Sequence, residues 1–524
     1  MIFHGDEIEL STKPVHETLL ERFELLDEKD PDNMAFVTAH NETDCLGFRE
    51  LHRNVIVLSE WFVENGYKKG DVVLLAATNN WRFFAAALAA WRAGLVVSAA
   101  SDQFTPFEMH YQIEDSQSKI VFVDAHTIPV VLEGSKGIQT IRHVVSFSPS
   151  PPTNVLSFES LASGKVKNLK MPEIDVVNDI VFLPYSSGTT GKPKGVMISH
   201  QNFAMMLASS LKVFGDIAAS FGLPEDFVIP QDLHFLPMYH AMGMFRTLLN
   251  AYRGSTQILF SKFDLELMLQ LIERHSVMNL AVVPAILVRM INSPLLSKYD
   301  ISSVVSISVG SAPLPEGAVQ KLKTILPDVR IVQGYGMTEL TFASHLPGPG
   351  SPEGSVGRVV PGTSMKVLKE DGSLCKGYWR KEHLSKELID EEGFMRTGDI
   401  VYFDKNGDTF ICDRVKELIK VNAKQVAPAE LESVLLEHDD VADVCVFGVE
   451  DELSGERPVA CVVSKRNRDQ ETAKAIMQYI NQKLARYKHV KEVEFVAEIM
   501  RTGTGKILRR SMKKMFLDSR KSRL

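Results

Sequence analysis

Between Ser186 and Lys194 the chain places Ser186, Ser187, Thr189 and Thr190, two glycines (Gly188 and Gly191) and two lysines (Lys192 and Lys194) within nine residues. Glycines let backbone N–H groups approach an anion closely, hydroxyls add donors and lysines supply charge, so this is the composition of a polyphosphate cradle. A polar strand-to-helix loop would share some of these residues, but such loops rarely concentrate donors this heavily. The segment is not a Walker A loop: its glycines are too close together, and Lys192 is followed by Pro193 rather than Ser or Thr. Other groups are weaker alone. Thr338 and Glu339 could cap a helix, Asp399 could belong to an Asx turn, and Lys506, between Gly505 and Ile507, could be solvated surface.

The elements that must position these groups are legible from apolar patterning. Asp71–Ala77, Lys119–Asp124, Asn279–Val283 and Val304–Val309 are continuously apolar in their centres, as strands buried on both faces should be. The apolar run Asp179–Leu183 leads directly into the cradle. Helical segments are expected over Phe48–Asn65, Phe83–Trp91 and Asp264–His275, with Asn79 and Asn80 available as caps and Gly94 as the stop of the second. Strand and helix in alternation imply βαβ units and parallel sheets. From Glu391 onward Gly393, Gly398 and Gly407 punctuate short strands, and Asp404–Gly407 reads as a hairpin turn. After Asp413 helix and strand alternate again, including the strands Val441–Phe447 and Pro458–Val463.

Composition narrows the class. The 524 residues carry 58 Lys+Arg against 66 Asp+Glu, a net charge of −8, which argues against nucleic acid as the main partner. Five cysteines (Cys45, Cys375, Cys412, Cys445, Cys461) show no C-x-x-C spacing, so a disulfide framework or structural zinc site is not expected, and a reducing compartment fits. No signal peptide is read at the N-terminus, and the apolar stretch Phe83–Trp91 is far below the ~20 residues a transmembrane helix needs. A single core rarely exceeds ~250–300 residues, so two or more domains are expected.

Taken in order, the motifs resemble those of the adenylate-forming enzymes, the superfamily of acyl-CoA synthetases, firefly luciferase and 4-coumarate–CoA ligases, with the luciferase and 4-coumarate ligase branch most similar. The resemblance runs from about Phe48 to the C-terminus. It rests on Tyr185–Gly195 as phosphate loop, Gly334-Tyr-Gly-Met-Thr-Glu339, Arg396-Thr-Gly-Asp399, Asp413–Lys420 as hinge and Gly503–Arg509 as the C-terminal lysine motif. It implies an α/β fold with a large N-terminal adenylation domain, residues 1–412, of parallel-rich sheets plus a small β-barrel-like subdomain. A small mobile C-terminal α+β lid, residues 413–524, would swing about Asp413. The implied activity is ATP-dependent ligation of a fatty or aryl carboxylic acid to coenzyme A through an acyl adenylate.

The resemblance also implies roles. Ser186, Ser187, Gly188, Thr189, Thr190 and Lys194 would hold the β- and γ-phosphates of ATP. Gln333, Gly334 and Tyr335 would border the adenine, Thr338 would touch the α-phosphate, and Glu339 would hold Mg²⁺. Asp399 would bind the ribose hydroxyls, with Arg414, Lys416 and Lys420 assisting at the nucleotide. Lys506 would bridge carboxylate and α-phosphate as the main electrostatic catalyst. Tyr239, His240, Met242, Gly310, Ser311, Gly336 and Met337 would line the acyl pocket, with His240 at its rim or in the core. Lys262, Asn422, Ala423 and Gln425 would face CoA.

Two departures from the family pattern stand out. Asn422-Ala423 replaces the usual Lys-Gly, and Ala can stand in for Gly comfortably only where φ is negative. Ser373-Leu-Cys375 also runs straight into Lys376-Gly-Tyr-Trp379, where a turn and a strand normally intervene. Either the segment is trimmed with neighbours closing the gap, or the chain is a weakened nucleotide- or acyl-binding relative. A luciferase-like monooxygenase is the same-class rival. The closing Ser522-Arg523-Leu524 is a variant of the peroxisomal S-K-L address and implies an import receptor as partner.

Overall fold

The computed structural model of the chain describes all residues except 1, 10, 187–192, 311–315, 367–388, 390–391, 396, 415–417, 423, 427, 501–508 and 522–524. It divides into two compact units. The larger is Met1–Asp102, Gln112–Tyr185 and Gly195–Asp413; the smaller is Gln103–Tyr111, Ser186–Lys194 and Arg414–Leu524.

The larger unit is α/β. Six strands of an eight-stranded sheet run in the order Ile180–Ser186, Val96–Ala100, Val72–Ala76, Ser118–Val123, His143–Ser146 and Leu156–Ser157, the last at its edge, and the ladders joining these strands are parallel. Val72–Ala76 is buried along its whole length, as a central strand covered on both faces must be. The helix Trp81–Arg92 follows it, and every residue from Phe83 to Trp91 is buried. Asn80 caps that helix by accepting from Phe83 N at 3.0 Å, while Asn79, also expected as a cap, is directed elsewhere. A four-stranded sheet follows the order Gln231–His234, Thr256–Leu259, Met34–Thr38 and Asn41–Gly47. A three-stranded parallel sheet follows the order Asn279–Val282, Ser306–Val309 and Arg330–Gln333.

Among the described residues one helix, His200–Ser220, reaches the length and apolarity of a membrane span. It is longer than the apolar stretch singled out from the sequence. Its Phe203, Met206 and Leu207 belong to the largest core cluster, and a Ser199–Asn202 capping box starts it, as in a core helix. Towards the end of this unit the sheets are small. The two-stranded pairs are Ile2–His4 with Ser364–Lys366, His345–Leu346 with Arg358–Val359, and Asp399–Phe403 with Thr409–Arg414. The last is a hairpin: Gly407 N donates to Asp404 O at 3.1 Å, and Gly407 takes a φ of 84°. The expected barrel-like closure falls on residues 367–388, outside the described residues.

The smaller unit is α+β. Its five-stranded sheet runs Lys424–Val426, Ile419–Val421, Gly455–Ser464 and Val441–Asp451, with Glu492–Phe495 parallel beside Gly455–Ser464. One core cluster holds Leu431, Val444, Ile476 and Ile480, and a second holds Phe447, Val459, Met512 and Phe516. Cys445 and Cys461 face each other across the ladder as free thiols, and burial pushes both up to about 12.

Candidate active site

The loop carrying Gly334–Glu339 leaves the C-terminal end of the parallel strand Arg330–Gln333, where open α/β sheets gather their ligand sites. Tyr335 and His345 exchange backbone hydrogen bonds at 3.1 Å, which folds the loop into a tight return. Gly336 sits inside it: a Cβ there would meet Phe342 O at 1.9 Å and Ala343 Cα at 2.6 Å, so no other residue fits. Thr338–Leu340 forms a 3₁₀ turn, and Glu339 is buried. Thr341 then takes φ 68° and ψ −51°, with Phe342 N donating to Leu340 O at 2.7 Å. That is a positive-φ γ-turn, a strained conformation for a β-branched residue. Nothing in the identity of Thr341 signals this from sequence.

Asp399 opens the strand Asp399–Phe403, and its backbone N–H donates to Thr397 Oγ1 at 3.2 Å. Tyr335 Oη donates to Asp399 Oδ2 at 2.5 Å, so the structure brings the residues expected at adenine and ribose into direct contact. The His345 ring stands edge-on to Tyr335 at 5.7 Å, and burial pushes its imidazole down to about 4, so this neighbour is uncharged near neutral pH.

A second group forms around Pro237–His240. Tyr239 is buried in the main core cluster, whereas His240 is exposed, so it is not a core histidine. Its ring lies 4.3 Å from that of Tyr239, and its backbone begins the helix Ala241–Arg253. Met242 in the first turn meets Gly310, where a Cβ would lie 3.1 Å from Met242 Cε. Met337 packs against the same cluster as Tyr239. Met242 and Gly310 are thus neighbours just beyond the turn that carries Tyr239 and His240, and their small and apolar character suits an apolar ligand. Lys262 is exposed, and its carbonyl lies 3.2 Å from His40 Nε2.

In the smaller unit, Ser186 and the buried Lys194 lie on either side of residues 187–192, the expected phosphate loop, and Pro193 O accepts from Tyr111 Oη at 2.8 Å. Lys420 and Gln425 are direct partners across the antiparallel ladder, so their side chains share a face. Asn422 at the turn is exposed with φ 49°, a conformation Asn tolerates better than most residues. Its N–H donates to Ser454 O at 2.8 Å, and Lys420 N donates to Glu456 Oε2 at 2.8 Å. Arg414 ends the strand Thr409–Arg414. Ser187, Gly188, Thr189, Thr190, Ser311, Lys416, Ala423 and Lys506 lie outside the described residues.

Among the described residues no three His, Cys, Asp or Glu side chains converge into a metal cage. One buried carboxylate, Glu339, is the donor set that suits Mg²⁺, which takes most of its ligands from water and substrate phosphate.

The family model described as AMP-binding enzyme matches residues 23–378, and that of its C-terminal domain matches 430–506. The chain belongs to the AMP-binding enzymes, the adenylate-forming family. It is 70% identical over 540 aligned positions to acyl-CoA synthetase 7 of Caenorhabditis elegans, covering 100% of both chains. Because 540 positions exceed the 524 residues of this chain, at least 16 positions of that relative face a gap. It is 35% identical to 4-coumarate–CoA ligase CCL1 of Humulus lupulus, over 86% of this chain and 85% of the other. The amide bond synthetase McbA of Marinactinospora thermotolerans shares the fold, with a TM-score of 0.81 at 22% identity, over 96% of this chain and 100% of that one.

Proposed function

We propose that the chain is an AMP-forming acid–CoA ligase. A carboxylate oxygen attacks the α-phosphorus of ATP and pyrophosphate leaves. The thiol of CoA then attacks the acyl carbonyl, losing its proton as AMP departs. The observation that carries this reading is the pairing of Tyr335, on the loop with Thr338 and Glu339, with Asp399. It occurs in a chain 70% identical along its whole length to a protein named acyl-CoA synthetase.

Two anions must meet in the first step, so the site needs cations and fixed dipoles held in place beforehand. Lys194, buried, and the loop from Ser186 would take the β- and γ-phosphates. Thr338 would donate to the α-phosphate, Asp399 would accept from the ribose, and Lys506 would bridge carboxylate and phosphate. Glu339 would hold Mg²⁺, which neutralises phosphate charge when bound. The lining by Tyr239, Met242, Gly310 and Met337 suits a fatty or aryl acid. Lys420 would assist at the nucleotide, and Asn422 and Gln425 in the lid, with Lys262, would meet CoA. The Ser522-Arg523-Leu524 tripeptide, where it closes the mature chain, would direct peroxisomal import; fluorescent-protein fusions with and without it test this, and identical distributions would reject it.

The test of activity is pyrophosphate exchange with octanoate, palmitate, benzoate and 4-coumarate, followed by challenge with CoA and with oxygen. Acid-dependent exchange with CoA-dependent AMP release supports the ligase, and light on exposure to oxygen supports the luciferase-like alternative. The gap of at least 16 positions favours a second reading, a weakened relative. Nucleotide binding without exchange would support it.

A further inference from the structure

We infer that Asn79 is a positioning residue that sets the shape of the acyl pocket, an inference that rests on the ligase reading above. Asn79 lies on the loop after the central strand Val72–Ala76 and is buried. Its Nδ2 donates to Leu236 O at 3.0 Å, and its Oδ1 accepts from Met238 N at 2.8 Å. One side chain thus grips the backbone on both sides of Pro237, which has no N–H of its own. The amide orientation is chemically unique, since turning it over would set N–H against N–H and oxygen against oxygen.

The grip is rigid because both neighbours of Asn79 are anchored. Thr78 donates to Asp124 Oδ2 through its backbone N at 2.7 Å and its hydroxyl at 2.6 Å. Asn80 caps the next helix through Phe83 N. On the other side, the gripped segment leads within two residues to Tyr239 and His240.

The far end of that segment is fixed independently. His240 N donates to Pro237 O at 3.1 Å, and a Cβ at Gly243 would lie 2.0 Å from the same oxygen, so helix and loop touch without a side chain between them. Asp232, on the strand before the segment, accepts from Asn250 Nδ2 at 2.8 Å and from Arg246 Nε at 3.3 Å, tying the helix Ala241–Arg253 to the strand Gln231–His234. Burial alone would raise the Asp232 carboxyl, but Arg246 and His234 hold it at about 2, so the tie stays ionised. Strand and helix are therefore held by Asp232, and the loop between them by Asn79. Removing the Asn79 amide leaves Leu236 O and Met238 N unpaired in an apolar interior, and the loop must shift or admit water. The pocket wall moves with it, while the loop bearing Thr338 and Glu339 has no bond to this amide.

The experiment compares the full chain with Asn79→Ala and Asn79→Asp in pyrophosphate exchange. It uses the two acids of unequal size, from the four above, that the unaltered chain takes best. The expected result is a threefold or greater change in the ratio of kcat/KM for the two acids, with the KM for ATP within twofold. That ratio does not depend on the fraction of enzyme that is folded, so simple destabilisation cannot imitate it. Asn79→Asp keeps the acceptor for Met238 but sets a carboxylate oxygen against Leu236 O in place of the donor, and it carries the test if Asn79→Ala does not fold. A smaller change in the ratio, an ATP KM that moves as much as the acid KM, or loss of soluble protein in both variants overturns the inference. Absence of exchange by the unaltered chain with every acid instead rejects the ligase reading, and with it the pocket on which this inference stands.

Discussion

Tyr335 and Asp399 are 64 positions apart in the chain, and their contact is the sharpest statement the candidate site makes at the scale of single residues. A hydrogen bond to a charged group contributes about 1.5–3 kcal/mol. Tyr335→Phe should therefore raise the KM for ATP by roughly tenfold or more, by the 1.4 kcal/mol-per-decade rule, and leave the acid KM unchanged. An unaltered ATP KM would remove Asp399 from the proposed ribose contact. Thr341 offers a stability test with an unusual sign. At an ordinary position Ala is more stable than Gly, but φ 68° strains any side chain, a cost on the order of 1–3 kcal/mol. Both variants lose the buried threonine side chain, so comparing them isolates the backbone. Thr341→Gly should unfold at higher denaturant than Thr341→Ala, and the reverse order would refute the strain. Lys506→Ala should abolish adenylation and spare thioester formation from supplied acyl-AMP; equal loss of both half-reactions would reject that division of labour.

At the scale of elements, the helix His200–Ser220 is joined to the helix Val15–Lys29 through buried histidines. Val15 N donates to His200 Nδ1 at 3.3 Å, and the His16 and His200 rings lie 5.7 Å apart. Burial lowers both imidazoles, His16 to about 3, with His200 and Arg92 adding to the shift, and His200 to about 4, where Asp179 opposes burial and Lys69 reinforces it. His200 also stands in the first turn of its helix, whose positive end disfavours a second charge. In the unfolded chain these groups bind protons near pH 6.5, so the unfolded state holds more protons between there and pH 4. Stability is then complete above about pH 6.5 and falls as pH drops towards 4, by up to about 3 kcal/mol for His200. Urea unfolding across this range should show the slope, and His200→Gln, which keeps an acceptor for Val15, should flatten it. A slope unchanged in that variant would assign the acid sensitivity to other groups.

For the whole molecule, the gap of at least 16 positions is the feature that most needs a measurement. If neighbouring strands close it, the chain should catalyse acid-dependent exchange as it stands, and restoring the relative's additional positions at their own place in the chain should change the rate less than tenfold. A graft that turns a silent chain active would favour the weakened relative. Much else was legible in advance. The alternation of apolar strands and helices announced parallel sheets because burial on both faces leaves a local record in consecutive residues, and the strand Val72–Ala76 lies within one residue of its expected ends. The ordered motifs announced the family because phosphate binding needs particular residue types close together in the chain.

Tertiary structure decided what depends on distant partners. Asn79 and Asn80 are the same residue type side by side, yet one caps a helix and the other grips Leu236 and Met238 more than 150 positions away. The left-handed backbone of Thr341, the exposure of His240 and the pairing of Tyr335 with Asp399 are likewise absent from any local pattern. The physical reason is that periodicity and motif spacing reflect interactions between chain neighbours. A buried amide's partners and a strained φ are instead imposed by the packing that surrounds them.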